Sequence, residues 1–189
     1  IKYELIEAVD GSTADFESMV INHKEVPISK NEMGATVSHL KAIQHYLDTS
    51  DSEYAIIIED DLSIENVENW DFTFHEFLDS VDKDFDVLQL CIIHNYNIVK
   101  KLHIREAGDW SAACYLITRK WAQKLVDKHV VEGQYRLYRG NKSVADALVY
   151  EKGKVYSIPL FTNTLEFDSS INQANMTGSH LSSRNQIIQ

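Results

Sequence analysis

The chain has 189 residues, enough for one well-packed domain with at most a small appendage, and its formal net charge is −11. That charge excludes a nucleic-acid binder, which needs a basic face to gain from phosphate contacts. No apolar stretch reaches the length of a membrane span, and neither a signal peptide nor a disulfide framework is visible, so a cytoplasmic location is expected. Tyr3 to Val9 alternate imperfectly and stop at Asp10-Gly11, which predicts a short strand and a turn. A loop is expected to about Lys30. From there Met33, Val37, Leu40, Ile43 and Leu47 recur at steps of three and four, which predicts a helix capped by Asn31. The polar run from Asp48 to Ser52 ends it.

Tyr54-Ala55-Ile56-Ile57-Ile58 then drives an apolar, β-branched run straight into Glu59-Asp60-Asp61. Such a run predicts a strand buried on both faces in a parallel or mixed sheet flanked by helices. Further on, a helix is expected over 70–81 with Phe74, Phe77, Leu78 and Val81 on one face, and a strand over 86–93. A strand over 112–118 leads into a helix from about Arg119 that turns Trp121, Leu125 and Val126 inward. Ala145 to Tyr150 predicts a short helix, and Lys154 to Leu160 a last strand. Cys91 and Cys114 sit in apolar runs without metal-type spacing and read as buried free thiols. The division expected is a single domain over 1–168 and a polar tail or lid over 169–189.

Three adjacent carboxylates repel one another, so they must be solvated, hydrogen-bonded or bound to a cation. A hard divalent ion takes oxygen ligands of this kind, commonly one or two carboxylates plus substrate phosphate oxygens. An acidic turn that merely closes a strand is the plain alternative. An acidic protein that accepts a diphosphate needs such a cation to reverse the local sign of charge.

Three segments in order, Asn31-Glu32-Met33-Gly34-Ala35-Thr36-Val37-Ser38-His39-Leu40-Lys41-Ala42, Ala55 to Asp61, and Ala113-Cys114-Tyr115-Leu116-Ile117-Thr118-Arg119, resemble glycosyltransferase family 25, which includes lipooligosaccharide and collagen galactosyltransferases. Glu7-Ala8-Val9-Asp10-Gly11 and Phe85-Asp86-Val87-Leu88 extend the resemblance over most of the chain. It implies a single α/β domain of the GT-A type with a mixed, mostly parallel sheet flanked by helices. It also implies transfer of a hexose, galactose or glucose, with inversion from a UDP-sugar to a glycan or hydroxylysine-type protein acceptor. The chain departs from the family in lacking its opening strand ahead of Ile1 and in carrying Ser111 near a position that is commonly Gly.

On this resemblance Asp61 is the direct ligand of Mn²⁺ or Mg²⁺, with Asp60 in support and His180 a late ligand from the tail. Glu59 and Asp60 face the donor, and Glu32, Gly34, Ser38, His39 and Arg119 form the rest of the substrate-binding set. Asp146 is the candidate base. Each assignment has a structural counterpart: His39 as a loop-bonding histidine, Arg119 as the start of a helix, Asp146 as an exposed helix-start carboxylate. A homodimer is compatible with this reading. The competing function is a non-catalytic nucleotide- or glycan-binding relative of the same fold.

Overall fold

The computed structural model describes residues 3–94, 96–138, 141–164 and 176–188. Its helices are α1 (Phe16–Met19), α2 (Lys30–Thr49), α3 (Phe74–Ser80), α4 (Arg119–His129), α5 (Ala145–Leu148) and α6 (Met176–Ile188). Its strands are β1 (Val20–Ile21), β2 (Tyr54–Ile58), β3 (Leu62–Ser63), β4 (Val87–Cys91), β5 (His103–Ile104), β6 (Cys114–Thr118), β7 (Val130–Val131), β8 (Gln134–Arg136) and β9 (Val155–Asn163). They fall into two compact units, Ile1–Ala55 with Arg119–Glu151, and Ile56–Thr118 with Lys152–Gln189.

The first unit is organised by α2. Ser29, not Asn31, caps this helix: its hydroxyl accepts the Glu32 N–H at 3.2 Å while the Glu32 carboxylate accepts the Ser29 N–H at 2.7 Å. The reciprocal pair satisfies two backbone donors at once, so the helix starts two residues earlier than a cap at Asn31 would set it. Met33, Val37, Leu40 and Ile43 are buried as that spacing predicts, and Tyr46 joins them. Arg119 closes the other end, its guanidinium donating to the carbonyl of Leu47 at 3.1 Å and to that of Ser50. From Arg119, α4 buries Trp121, Ala122, Leu125 and His129, and the Trp121 indole N–H donates to the Val149 carbonyl at 2.9 Å. A small sheet of order β1-β8-β7 completes the unit, with β1 parallel and β7 antiparallel to β8.

The strand expected over Tyr3 to Val9 does not form. Tyr3 and Leu5 are 81% and 91% exposed, and no described strand pairs with this segment. It is held instead by side chains of α2: Ser38 Oγ accepts the Val9 N–H at 2.8 Å, and Lys41 Nζ donates to the Glu7 carbonyl at 2.8 Å. The expected loop to Lys30 contains α1 and β1.

The second unit is built on a six-stranded sheet of order β2-β6-β4-β9-β3, with β5 also paired to β9. Every residue of the central strand β4 is buried, four of them apolar and the fifth Gln89. The sheet is mixed, but the expectation of a mostly parallel one is corrected. Strand β4 runs parallel to β9, whereas β6 is antiparallel to β4, and β3 and β5 are antiparallel to β9. Apolar runs do not encode direction; the connections decide it, and parallel pairing demands a long crossover. The expected burial of β2 on both faces is corrected too. It lies at the end of the strand order, with Ile56 and Ile58 41% and 57% exposed.

Strand β9 runs three residues past its expected end, to Asn163. Between Gln89 and Cys91 the β4–β9 register slips, Gln89 facing Ser157 and Cys91 facing Phe161, so two steps of β4 oppose four of β9. Pro159 lies in the slipped stretch, where its missing N–H is tolerated. Helix α3 begins at Phe74 behind a Thr73–Glu76 capping pair rather than at Trp70, whose ring stacks on Phe72 at 5.1 Å. The polar tail contributes α6. Ser183 Oγ donates to the His94 carbonyl at 3.1 Å and accepts its N–H at 2.9 Å, while Gln186 bonds the backbone of Ile98 and Tyr96. No described helix is long and apolar enough to cross a membrane.

Candidate functional site

The acid turn follows the end of β2. The Glu59 N–H donates to the Ala113 carbonyl at 2.8 Å, and the Leu62 N–H to the Glu59 carbonyl at 3.4 Å. Leu62 and Ser63 then pair with Asn163 and Thr162, and the Thr164 N–H donates to the Asp61 carbonyl at 2.7 Å. Backbone pairing on both sides thus sets Asp61 against the end of β9. Its carboxylate is half-buried: Oδ2 accepts from Asn163 Nδ2 at 3.4 Å, and Oδ1 is shielded from solvent without a hydrogen-bond partner. Burial, and then the charge of Glu59, push Asp61 up to about 6, against the opposing effect of Asn163.

Asn163 is oriented from behind. The Cys91 thiol donates to its Oδ1 at 3.2 Å, which leaves its amide nitrogen for Asp61. His180, on α6, is half-buried with a shielded, unpartnered Nε2; burial lowers its pKa, and the Glu59 charge partly offsets that. The charge of Glu59 raises the pKa of both Asp61 and His180. Asp60 is exposed beside them. Shielded polar atoms without partners cost free energy.

The donor set was tested against a divalent ion. Among the described residues no three His, Cys, Asp or Glu side chains converge closely enough to hold one unaided. The shielded, unpartnered Asp61 Oδ1 nevertheless fits an ion that draws the remainder of its shell from water and substrate phosphate.

The other predicted residues belong to the first unit, where the structure gives each a place. Glu32 is half of the α2 capping pair. Gly34 is required by chain approach: a Cβ there would meet the Val9 carbonyl oxygen at 2.5 Å and the Gly11 nitrogen at 3.0 Å. Ser38 bridges the Gly34 carbonyl and the Val9 N–H, both at 2.8 Å. His39 is buried in α2, and Arg119 ties the end of α2 to the start of α4. Asp146 lies half-buried in the first turn of α5, just after Ser143, whose carbonyl accepts the Thr36 hydroxyl at 2.7 Å.

Asn163 and Cys91 escaped the sequence reading. The available signal was Thr162-Asn163-Thr164, a polar end just beyond the apolar run that was expected to stop at Leu160.

The chain matches the sequence model of glycosyltransferase family 25 (LPS biosynthesis protein) over residues 1–132. No curated protein matches it. Among solved structures it is similar to the crystal structure of A197 from STIV, at 12% identity and a TM-score of 0.40, over 67% of this chain and 64% of that one.

Proposed function

Because the chain belongs to glycosyltransferase family 25, we propose that it transfers a hexose, galactose or glucose, from a UDP-sugar to a hydroxyl of a glycan or hydroxylysine-type protein acceptor, with inversion at the anomeric carbon. Asp61 is the observation that carries the reading: a half-buried carboxylate with one oxygen held by Asn163 and the other shielded and unpartnered, in a turn with Glu59 and Asp60. Asp61 would hold Mn²⁺ or Mg²⁺, the rest of the shell coming from water and the donor's phosphate oxygens. When bound, the ion acts as a Lewis acid that offsets the charge developing on the departing diphosphate.

The chain's own residues supply positioning. Asn163, fixed by Cys91, holds Asp61 by one oxygen and leaves the other available. Glu32, Gly34, Ser38 and Arg119 serve substrate through the backbone they fix. Asp146 takes the role of base toward the acceptor hydroxyl, an assignment that rests on the family pattern.

Calorimetric titration with UDP, with and without Mn²⁺, tests the proposal. Heat that requires Mn²⁺ and disappears in Asp61→Asn is expected. Equal UDP affinity with and without the ion would overturn the metal-dependent reading and leave a non-catalytic relative in its place.

A further inference from the structure

We propose that Trp110 is a stacking platform for a pyranose ring of the acceptor, an inference that rests on the glycosyltransferase reading and adds an acceptor subsite to it. Of the three tryptophans, Trp121 is buried with its N–H bonded to Val149, and Trp70 packs against Phe72 and Phe161. Trp110 is 43% exposed.

The segment that presents it is held from several sides. Trp110 and Ile93 exchange backbone hydrogen bonds at 3.1 and 2.9 Å. Gln89, fully buried in β4, directs its amide nitrogen at three successive carbonyls, those of Asp109, Trp110 and Ser111, at 3.2, 3.1 and 2.9 Å. Its amide oxygen is engaged by Ser157 Oγ at 2.7 Å. On the preceding side, Asp109 is buried, and its carboxylate accepts from the Glu106 N–H at 2.8 Å and from His103 Nε2 at 3.1 Å. On the following side, Ser111 has φ +102°, a conformation that disfavours any side chain. A strained backbone and a buried polar network hold the residue that displays an indole to solvent.

The same segment borders the acid turn. Three residues beyond Trp110, the Ala113 carbonyl accepts the Glu59 N–H at 2.8 Å. At the reach of an extended chain this spans roughly 10 Å, suited to a short oligosaccharide lying beside the reacting sugar. An indole has a broad apolar face and a polar edge, and a pyranose has a C–H face rimmed by hydroxyls, so the two stack while the hydroxyls stay solvated.

The test uses the indole N–H resonances of the uniformly ¹⁵N-labelled full chain, with the Trp110 signal assigned by its loss in Trp110→Phe. Methyl β-D-galactopyranoside and methyl β-D-glucopyranoside are titrated to about 100 mM, since one stacked ring gives at best millimolar affinity. The expected result is a saturable shift of the Trp110 signal by at least one glycoside, with those of Trp70 and Trp121 unmoved. Backbone shifts that follow the same titration should weaken about tenfold in Trp110→Ala and be largely kept in Trp110→Phe. If neither glycoside moves the Trp110 signal while UDP with Mn²⁺ still binds, the platform is overturned and the glycosyltransferase reading stands. If UDP binding fails as well, both fall; if a glycoside shifts Trp110 but UDP does not bind, the platform stands as a glycan-binding site.

Discussion

The first turns of α2 and the acid turn after β2 both carry family motifs, yet they use their polar groups in opposite ways. Along α2, the Glu32 carboxylate, the Ser38 hydroxyl and the Thr36 hydroxyl all bond backbone atoms of the same unit, and Gly34 is covered by the Val9–Gly11 backbone. In the second unit, Asp61 Oδ1 in the acid turn and His180 Nε2 on α6 are shielded and have no partner. A motif whose groups are internally satisfied builds scaffold, whereas one that keeps buried groups unsatisfied stores free energy that a ligand can release.

That contrast breaks most sharply at Asp61. Asp61→Asn should lower transfer by about 1,000-fold or more, as loss of a group that stabilises developing charge does, and a UDP-sugar turnover assay reads it. Residual activity within tenfold of wild type would mean that Asp61 serves the fold alone. Gly34→Ala should act on stability: with the Val9 oxygen at 2.5 Å from the new Cβ, a loss of about 3 kcal/mol and a drop in Tm of about 6–12 °C are expected. A variant that melts like wild type would show that the Val9–Gly11 segment yields freely.

A smaller effect tests the same contrast through pH. Asp61 titrates higher in the folded protein, about 6, than its ordinary value, so the native state retains a proton that the unfolded chain has released. Stability should therefore fall as pH rises from about 4 to 6, by on the order of 1–2 kcal/mol after allowance for partial exposure. Urea melts of wild type and Asp61→Asn at pH 4 and pH 7 isolate it: the Asn variant should lack this component and be the more stable of the two at pH 7, in metal-free buffer. The smallest change is expected at Ser111→Gly. Relief of the positive φ competes with loss of the 3.1 Å bond from the Ala113 N–H to Ser111 Oγ and with the greater freedom of Gly when unfolded, for a net gain of about 0.5 kcal/mol. A loss above 1 kcal/mol would place the hydroxyl's bond ahead of the strain.

Where periodicity and burial coincide, the chain is legible. Met33, Val37, Leu40 and Ile43 of α2, the buried run of β4, and Trp121 and Leu125 of α4 lie where their spacing places them, because each element buries most of one face or both, while Leu47 and Val126, expected on the same faces, are only half-buried. Tyr3 to Val9 fails for want of a partner strand, and β2 fails on burial because an edge strand and a central strand can share one apolar run. At the candidate site the acid turn was visible as three adjacent carboxylates ending a strand. Its unequal members were not: Asp60 is exposed, while Asp61 is half-buried against Asn163.

Local chemistry, carried by the sequence, determined that this is an α/β protein, that an apolar strand ends in carboxylates, and that family 25 motifs run through it. Tertiary structure decided which way the strands run, that Asn163 and Cys91 stand behind Asp61, that His180 comes under the field of Glu59, and that Glu32, Gly34, Ser38 and Arg119 hold backbone. Periodicity depends on neighbours three or four residues away, whereas the partner of Asp61 lies 102 positions along the chain, and only packing of the whole sheet brings such residues within hydrogen-bonding distance.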